Sequence, residues 1–191
     1  VDEERVAADD TLEEVILSGG DPLLVDDARL AEIVGRLEAI PRLRRLRIHS
    51  RLPVVLPSRV TEGLVEILAR SRLTVVVVIH ANHAREVDAA VERAVRRLAA
   101  APAAVLNQAV LLAGVNDTLA AQRDLAERLV EAGVLPYYLH LLDRVAGAAH
   151  FEVPEPRAVA LHRALRESLP GYAVPRLVRA AAGARSKAWI A

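Results

Sequence analysis

Short apolar, β-branched runs return along this chain at roughly 30-residue intervals, the length of one strand–helix unit. They fall at Val15–Leu17, Leu46–Ile48, Val75–Ile79, Val105–Leu106 and Tyr138–Leu142. Helical patterns fill the gaps. The segment Ala28–Ile40 places Leu30, Ile33, Val34 and Leu37 on one face, with Asp26 or Asp27 as N-cap. Thr61 opens "TEGLVEILARS", Ala84–Ala100 aligns Val87, Val91, Val95 and Leu98, and Leu119–Ala132 stops at Gly133. A last helix is predicted over Pro156–Leu169, and "YAVPRLV" reads as a sixth strand. Strands covered by helices on both faces lose the polar alternation of half-buried ones and read as continuous apolar runs, as these do. The pattern predicts a parallel α/β fold without an interrupting linker, in one domain spanning 1–191. A partial (β/α) barrel fits better than an open doubly wound sheet, because no topological switch breaks the series. Six strands fall short of the eight strands and ~250 residues of a complete barrel.

In such folds, functional groups gather at the C-terminal ends of the strands. Here those ends carry Ser18-Gly19-Gly20-Asp21, His49-Ser50-Arg51, His80-Ala81-Asn82-His83, Asn107-Gln108 and Asp143. The two glycines of "SGGDP" either bring the backbone close to a polar ligand or make a tight turn in which Asp21 caps a helix beginning at Pro22. Asn107 and Gln108 interrupt an otherwise apolar run, which places them on the same polar rim.

Composition narrows the function classes. With 25 basic and 25 acidic residues the formal charge is zero, unlike a nucleic-acid binder with its basic excess. No apolar run reaches the ~18–20 residues of a membrane span, and "VDEERVAADD" is no signal peptide, so a soluble cytoplasmic domain is the plain reading. Cysteine and methionine are absent, and the first residue is Val1, as expected for a fragment or a displaced start. Among the 25 basic residues Lys187 is the single lysine. A primary amine can condense with a carbonyl where arginine cannot, so Lys187 is a candidate Schiff-base lysine or, alternatively, a surviving surface lysine.

The motifs "ILSGGDPLL", "LRIHSRLPVVLPSRV", "HANHAREVD", "LNQAVLLAGVND" and "LPYYLHLLDRVAGAAHF" occur in this order. Together they resemble the lysine 2,3-aminomutase family of radical S-adenosylmethionine enzymes, and within it the branch that makes β-lysine for elongation factor P. The resemblance runs from about Val15 to Lys187. It implies a truncated radical S-adenosylmethionine core with a lysine-bearing C-terminal segment from about residue 171. It also implies a [4Fe–4S] cluster, S-adenosylmethionine and pyridoxal phosphate, used to move the α-amino group of L-lysine to its β-carbon through radicals. Ser18, Gly19, Gly20 and Asp21 match the loop that holds the methionyl end of S-adenosylmethionine, with His83 and Gln108 lining the same pocket. Asp143 matches an aspartate that meets the substrate's side-chain ammonium, and Lys187 matches the lysine that carries pyridoxal phosphate. Implied partners are lysine, elongation factor P and its lysyl-transferring ligase, with pairing into a homo-oligomer; neither nucleic acid nor membrane is expected.

Three departures qualify the match. The family's CxxxCxxC motif has no counterpart in a chain without cysteine, so the chain alone is expected to be inactive. Ala180 stands where the free-lysine aminomutases carry a second substrate aspartate, which favours the elongation-factor branch. After Lys187 the chain reads Ala188-Trp189-Ile190 in place of the usual Thr-Pro-Leu. Two competing classes are a non-catalytic truncated copy that retains pyridoxal phosphate binding, and a metal-dependent barrel hydrolase using His49, His80, His83, His140 and Asp143.

Overall fold

The computed structural model describes residues 6, 8–101, 103–143, 145–180 and 187–191. Strand order follows chain order from β1 to β7 in a sheet of seven strands. The chain divides into two compact units, one formed by 1–79 and 89–106 and the other by 80–88 and 107–191.

In the first unit β1 (Glu14–Leu17), β2 (Arg45–Ser50) and β3 (Thr74–Ile79) are parallel, with Val15 opposite Leu46 and Leu46 opposite Val75. The last three residues of β3 are all buried, as expected of a strand covered on both faces. Between the strands run α1 (Asp27–Glu38), the single turn α2 (Leu52–Val55) and α3 (Glu62–Arg70), with α4 (Ala89–Ala100) after β3. The structure selects Asp26 as the cap of α1, its carboxylate accepting from Arg29 N at 2.7 Å. Thr61 caps α3 through Leu64 N at 3.0 Å. Asp27 is thereby released for another task. It accepts from Arg59 Nη1 at 2.7 Å and Thr61 Oγ1 at 2.6 Å, while Arg59 also donates to the carbonyls of Leu23 and Val25. Desolvation raises the Asp27 pKa, and the Thr61 and Arg59 contacts more than offset it, leaving the carboxyl below its usual range.

One predicted helix begins later than its periodicity suggests. Residues 84–86 form a 3-10 turn, and the α-helix starts at Ala89, because Glu86 folds back to accept from Asn82 N at 2.7 Å and His83 N at 2.8 Å. Val87 remains buried at the end of that turn, which explains why it fitted the helical stripe.

β4 (Ala103–Val110) starts in the first unit and ends in the second. It is longer than the predicted pair of residues: Asn107 and Gln108 lie inside the strand. In the second unit β5 (Leu135–His140) and β6 (Arg176–Arg179) are parallel, with His140 opposite Val178, and β7 (Ala188–Trp189) runs antiparallel to β6. The strand β5 stops at His140, so Asp143 lies beyond its end. Two helices, α5 (Leu119–Glu131) and α6 (Glu155–Ser168), belong to this unit. The first ends at Gly133, whose φ of 82° is the left-handed value a helix stop requires.

Candidate functional site

The Ser18–Asp21 loop belongs to the first unit. Gly19 and Gly20 both have positive φ, 75° and 65°, a pair of conformations that side-chain-bearing residues rarely adopt. The Asp21 carboxylate holds this loop against the end of β2. One oxygen accepts from Leu23 N at 3.0 Å and Ser50 Oγ at 2.7 Å, and the other accepts from Arg51 N at 2.7 Å. The turn alternative is the one seen, with Asp21 capping Pro22–Leu24, and the glycine backbone stands exposed beside Ser18.

In the second unit four amide side chains knit the end of β4 to the segment after β3. Asn107 is 2% exposed; its Oδ1 accepts from Ala81 N at 2.8 Å and its Nδ2 donates to Ala81 O at 3.0 Å. Asn82 Oδ1 accepts from Val110 N at 2.8 Å, and Asn116 Nδ2 donates to Asn82 O at 2.7 Å and Val110 O at 2.9 Å. Gln122 Nε2 donates to Asn116 O at 2.8 Å. Buried peptide groups at a strand end need partners, and these amides supply them without adding charge. The amide that interrupts β4 at Asn107 is thus a structural tie. His83 has a similar local duty: its Nδ1 accepts from Arg85 N at 3.1 Å and caps the 3-10 turn.

Gln108 has a different partner. Lys187 Nζ donates to Gln108 Oε1 at 3.3 Å and lies 2.9 Å from His140 Nε2, while the same nitrogen stands 4.5 Å from the centre of the Tyr138 ring. Two of the predicted residues, 79 positions apart, are brought together, joined by Tyr138 and by His140, which the sequence had offered only as a metal ligand of the hydrolase alternative. Alternation along β5 puts Tyr138 and His140 on one face, and their rings meet edge-on at 5.7 Å. That period of two was the available signal in "PYYLH". Tyr138 Oη and Tyr137 Oη share a hydrogen bond of 2.9 Å. Burial pulls the His140 pKa down to about 4, and the positive charges of Lys187 and His80 act in the same direction. At neutral pH the ring is uncharged, so its Nε2 is the acceptor and the Lys187 amine the donor.

Asp143 is exposed at a cavity of about 320 Å³, lined also by Glu152, Glu155, Arg179 and Ala180. Arg179 pairs with Glu155 at 2.7 Å. Among the described residues no hydrogen bond or ion pair engages the Asp143 carboxylate, and no group of three or more histidines and carboxylates is gathered as metal ligands would be. Nor is any described helix long and apolar enough to cross a membrane.

No family model matches the chain. It is 50% identical over 184 residues to the L-lysine 2,3-aminomutase of Escherichia coli K12, covering 96% of this chain and 54% of that one. The L-lysine 2,3-aminomutase of Haemophilus influenzae is 47% identical, with 95% and 54% covered. The chain thus spans about half the length of these relatives. Among solved structures it is similar to a radical SAM methyltransferase from Sphaerobacter thermophilus, with TM-score 0.61, 20% identity, and 92% of this chain and 53% of that one covered. SuiB of Streptococcus suis, bound to S-adenosylmethionine, gives TM-score 0.64 at 12% identity, covering 89% and 40%. The fold is therefore the mostly parallel partial-barrel α/β sheet of the radical S-adenosylmethionine type.

Proposed function

The chain belongs to the lysine 2,3-aminomutase family, and on that premise we propose that its residues serve the conversion of L-lysine to β-lysine with pyridoxal phosphate held on Lys187. The carrying observation is the placement of the single lysine, its amine gathered with Gln108 of β4 and with His140 and Tyr138 of β5. These surroundings suit the cofactor: a primary amine for its carbonyl carbon, an aromatic face beside that amine, and neutral hydrogen-bond acceptors around it. When bound, pyridoxal phosphate supplies a conjugated system that spreads charge or an unpaired electron next to the migrating nitrogen.

The chain's own groups have definable tasks. Lys187 holds the cofactor in place covalently. His140, uncharged at neutral pH, accepts from that amine and adds no positive charge at the reacting end. Asp143, with its carboxylate on the cavity that Ala180 also lines, binds the ammonium at the far end of the lysine side chain. The exposed Gly19–Gly20 backbone offers N–H groups to a charged or polar head such as the methionyl end of S-adenosylmethionine. A [4Fe–4S] cluster does not fit these residues: the 191 positions hold no cysteine and so no thiolate to ligate iron.

Ala180 beside Asp143 leaves the cavity without a second aspartate at that position, which supports the branch serving β-lysylation of elongation factor P. With that role come elongation factor P and its lysyl-transferring ligase as functional partners, a cytoplasmic setting and pairing into a homo-oligomer. The direct test is borohydride reduction of the protein with pyridoxal phosphate, followed by peptide mass analysis. A phosphopyridoxyl group on the Lys187 peptide, lost in Lys187→Ala, is expected; equal labelling of the variant would remove Lys187 from the reaction. Labelling without turnover in an assay supplied with an iron–sulfur source, S-adenosylmethionine and lysine would instead identify a cofactor-binding remnant.

A further inference from the structure

Two strands and the segment before β7 converge on one nitrogen. Lys187 Nζ is 2.9 Å from His140 Nε2 on β5 and 3.3 Å from Gln108 Oε1 on β4, with the Tyr138 ring centre at 4.5 Å. Hydrogen bonds from an amine are directional, so acceptors on two separate strands fix the nitrogen along two axes, and the aromatic face limits a third. His140 is 8% exposed and is itself held by β5, whereas Lys187 has four rotatable bonds of its own. The histidine is therefore the fixed member of the pair.

We propose that His140 is the positioning residue for Lys187, receiving its amine through Nε2 whenever that amine is not bonded to the cofactor and presenting it again for reattachment. This rests on Lys187 being the lysine that carries pyridoxal phosphate. Exchange of the cofactor onto a substrate amine would call for such a receiver. Starting from the protonated double bond between Nζ and the cofactor carbon, the substrate nitrogen's lone pair and the electron pair of one of its N–H bonds would become the new double bond to that carbon, while both pairs of the old one would return to Nζ. One returned pair would take up the proton released by the substrate nitrogen and the other would remain as the amine lone pair, so atoms and electrons balance without an oxidant or reductant. The freed amine carries N–H groups in a half-buried place, and His140 Nε2 and Gln108 Oε1 accept from it there. The titratable groups acting on the His140 ring are Lys187 and His80, with the Tyr138 phenol ring at its edge.

Two readouts on the 191-residue chain test the assignment. The first is a nuclear magnetic resonance titration of the His140 ring with and without Lys187→Met. Removing the lysine charge is expected to raise the midpoint, and an unmoved midpoint overturns the pairing. The second is the rate of borohydride-trapped pyridoxal phosphate on Lys187 as a function of pH. His140→Leu keeps the volume and removes the acceptor, and is expected to slow loading about tenfold, the loss of one hydrogen bond to a charged group. His140→Gln restores an acceptor and is expected to recover most of the rate, which a purely packing role would not predict. Loading of His140→Leu at the parent rate and pH profile overturns the proposal. If the parent chain gives no adduct on Lys187 while the midpoint still moves, the cofactor assignment fails and the Lys187–His140 contact stands.

Discussion

The two units of this chain solve the same problem with different chemistry. Each must satisfy backbone groups where strands end and loops begin. The first unit uses arginine: Arg59 binds the carbonyls of Leu23 and Val25 at 2.6 and 2.8 Å, and Arg72 binds those of Leu43 and Ile40 at 2.8 and 2.7 Å. At the end of β4 the second uses uncharged amides, and Asn107, Asn116 and Gln122 are each no more than 3% exposed. A guanidinium serves well where water or a carboxylate such as Asp27 can share its charge, but burying one without a partner is costly. An amide offers a donor and an acceptor with no such requirement. The difference teaches that the end of β4, where Gln108 meets Lys187, is tied to the segment after β3 by groups that add no net charge.

The largest break in this contrast is expected from Asn107→Leu. It strands the Ala81 N–H and C=O in a buried place, at about 1–3 kcal/mol for each unsatisfied group, so urea denaturation should show a loss of roughly 2–6 kcal/mol. The corresponding cut in the first unit is smaller. Arg59→Met removes donors from two carbonyls and from Asp27, yet the freed carbonyls lie in part-buried loops that water can reach, and about 2 kcal/mol is expected by the same measurement. If Arg59→Met proves the costlier, the distinction between buried amides and accessible charged ties fails.

Acidity separates the units more finely. His140 has its folded pKa depressed from 6.5 to about 4, so protons bind the unfolded chain first as pH falls. Its contribution is complete above pH 6.5 and is lost between there and about 4, on the order of 1–2 kcal/mol once the remaining solvent contact is allowed for. Asp27, also depressed, keeps its contribution above its unfolded pKa and loses it only at lower pH. Denaturation midpoints between pH 7 and 4 should therefore decline in the parent chain and flatten in His140→Gln. The same slope in both would dissociate His140 from the acid response.

Much of the scaffold was legible in the residues. β3, written as an uninterrupted apolar run, and the caps at Asp26 and Thr61 depend on neighbours close in sequence, where propensity and spacing carry information. What could not be read depends on partners far along the chain. The extension of β4 through Asn107 requires Ala81, 26 positions earlier, to absorb the amide. His140 finds its hydrogen-bond partner only in Lys187, 47 positions later. Gln108 was expected to line a cofactor pocket but its contact with Lys187 was not foreseen, and Asp27 looked like a cap until Arg59 claimed it. His83 also has a local duty that its motif does not reveal, its Nδ1 capping the 3-10 turn.

The double contact between Asn107 and Ala81 also bears on how this protein ages. Hydrolysis of an asparagine amide to a carboxylate exchanges one nitrogen for oxygen and adds a negative charge, at almost no change in volume. At position 107 the nitrogen that donates to Ala81 O would become an oxygen facing another oxygen at 3.0 Å, repulsion in place of attraction. Spontaneous deamidation there would release the strand end from within, with no change of shape to announce it.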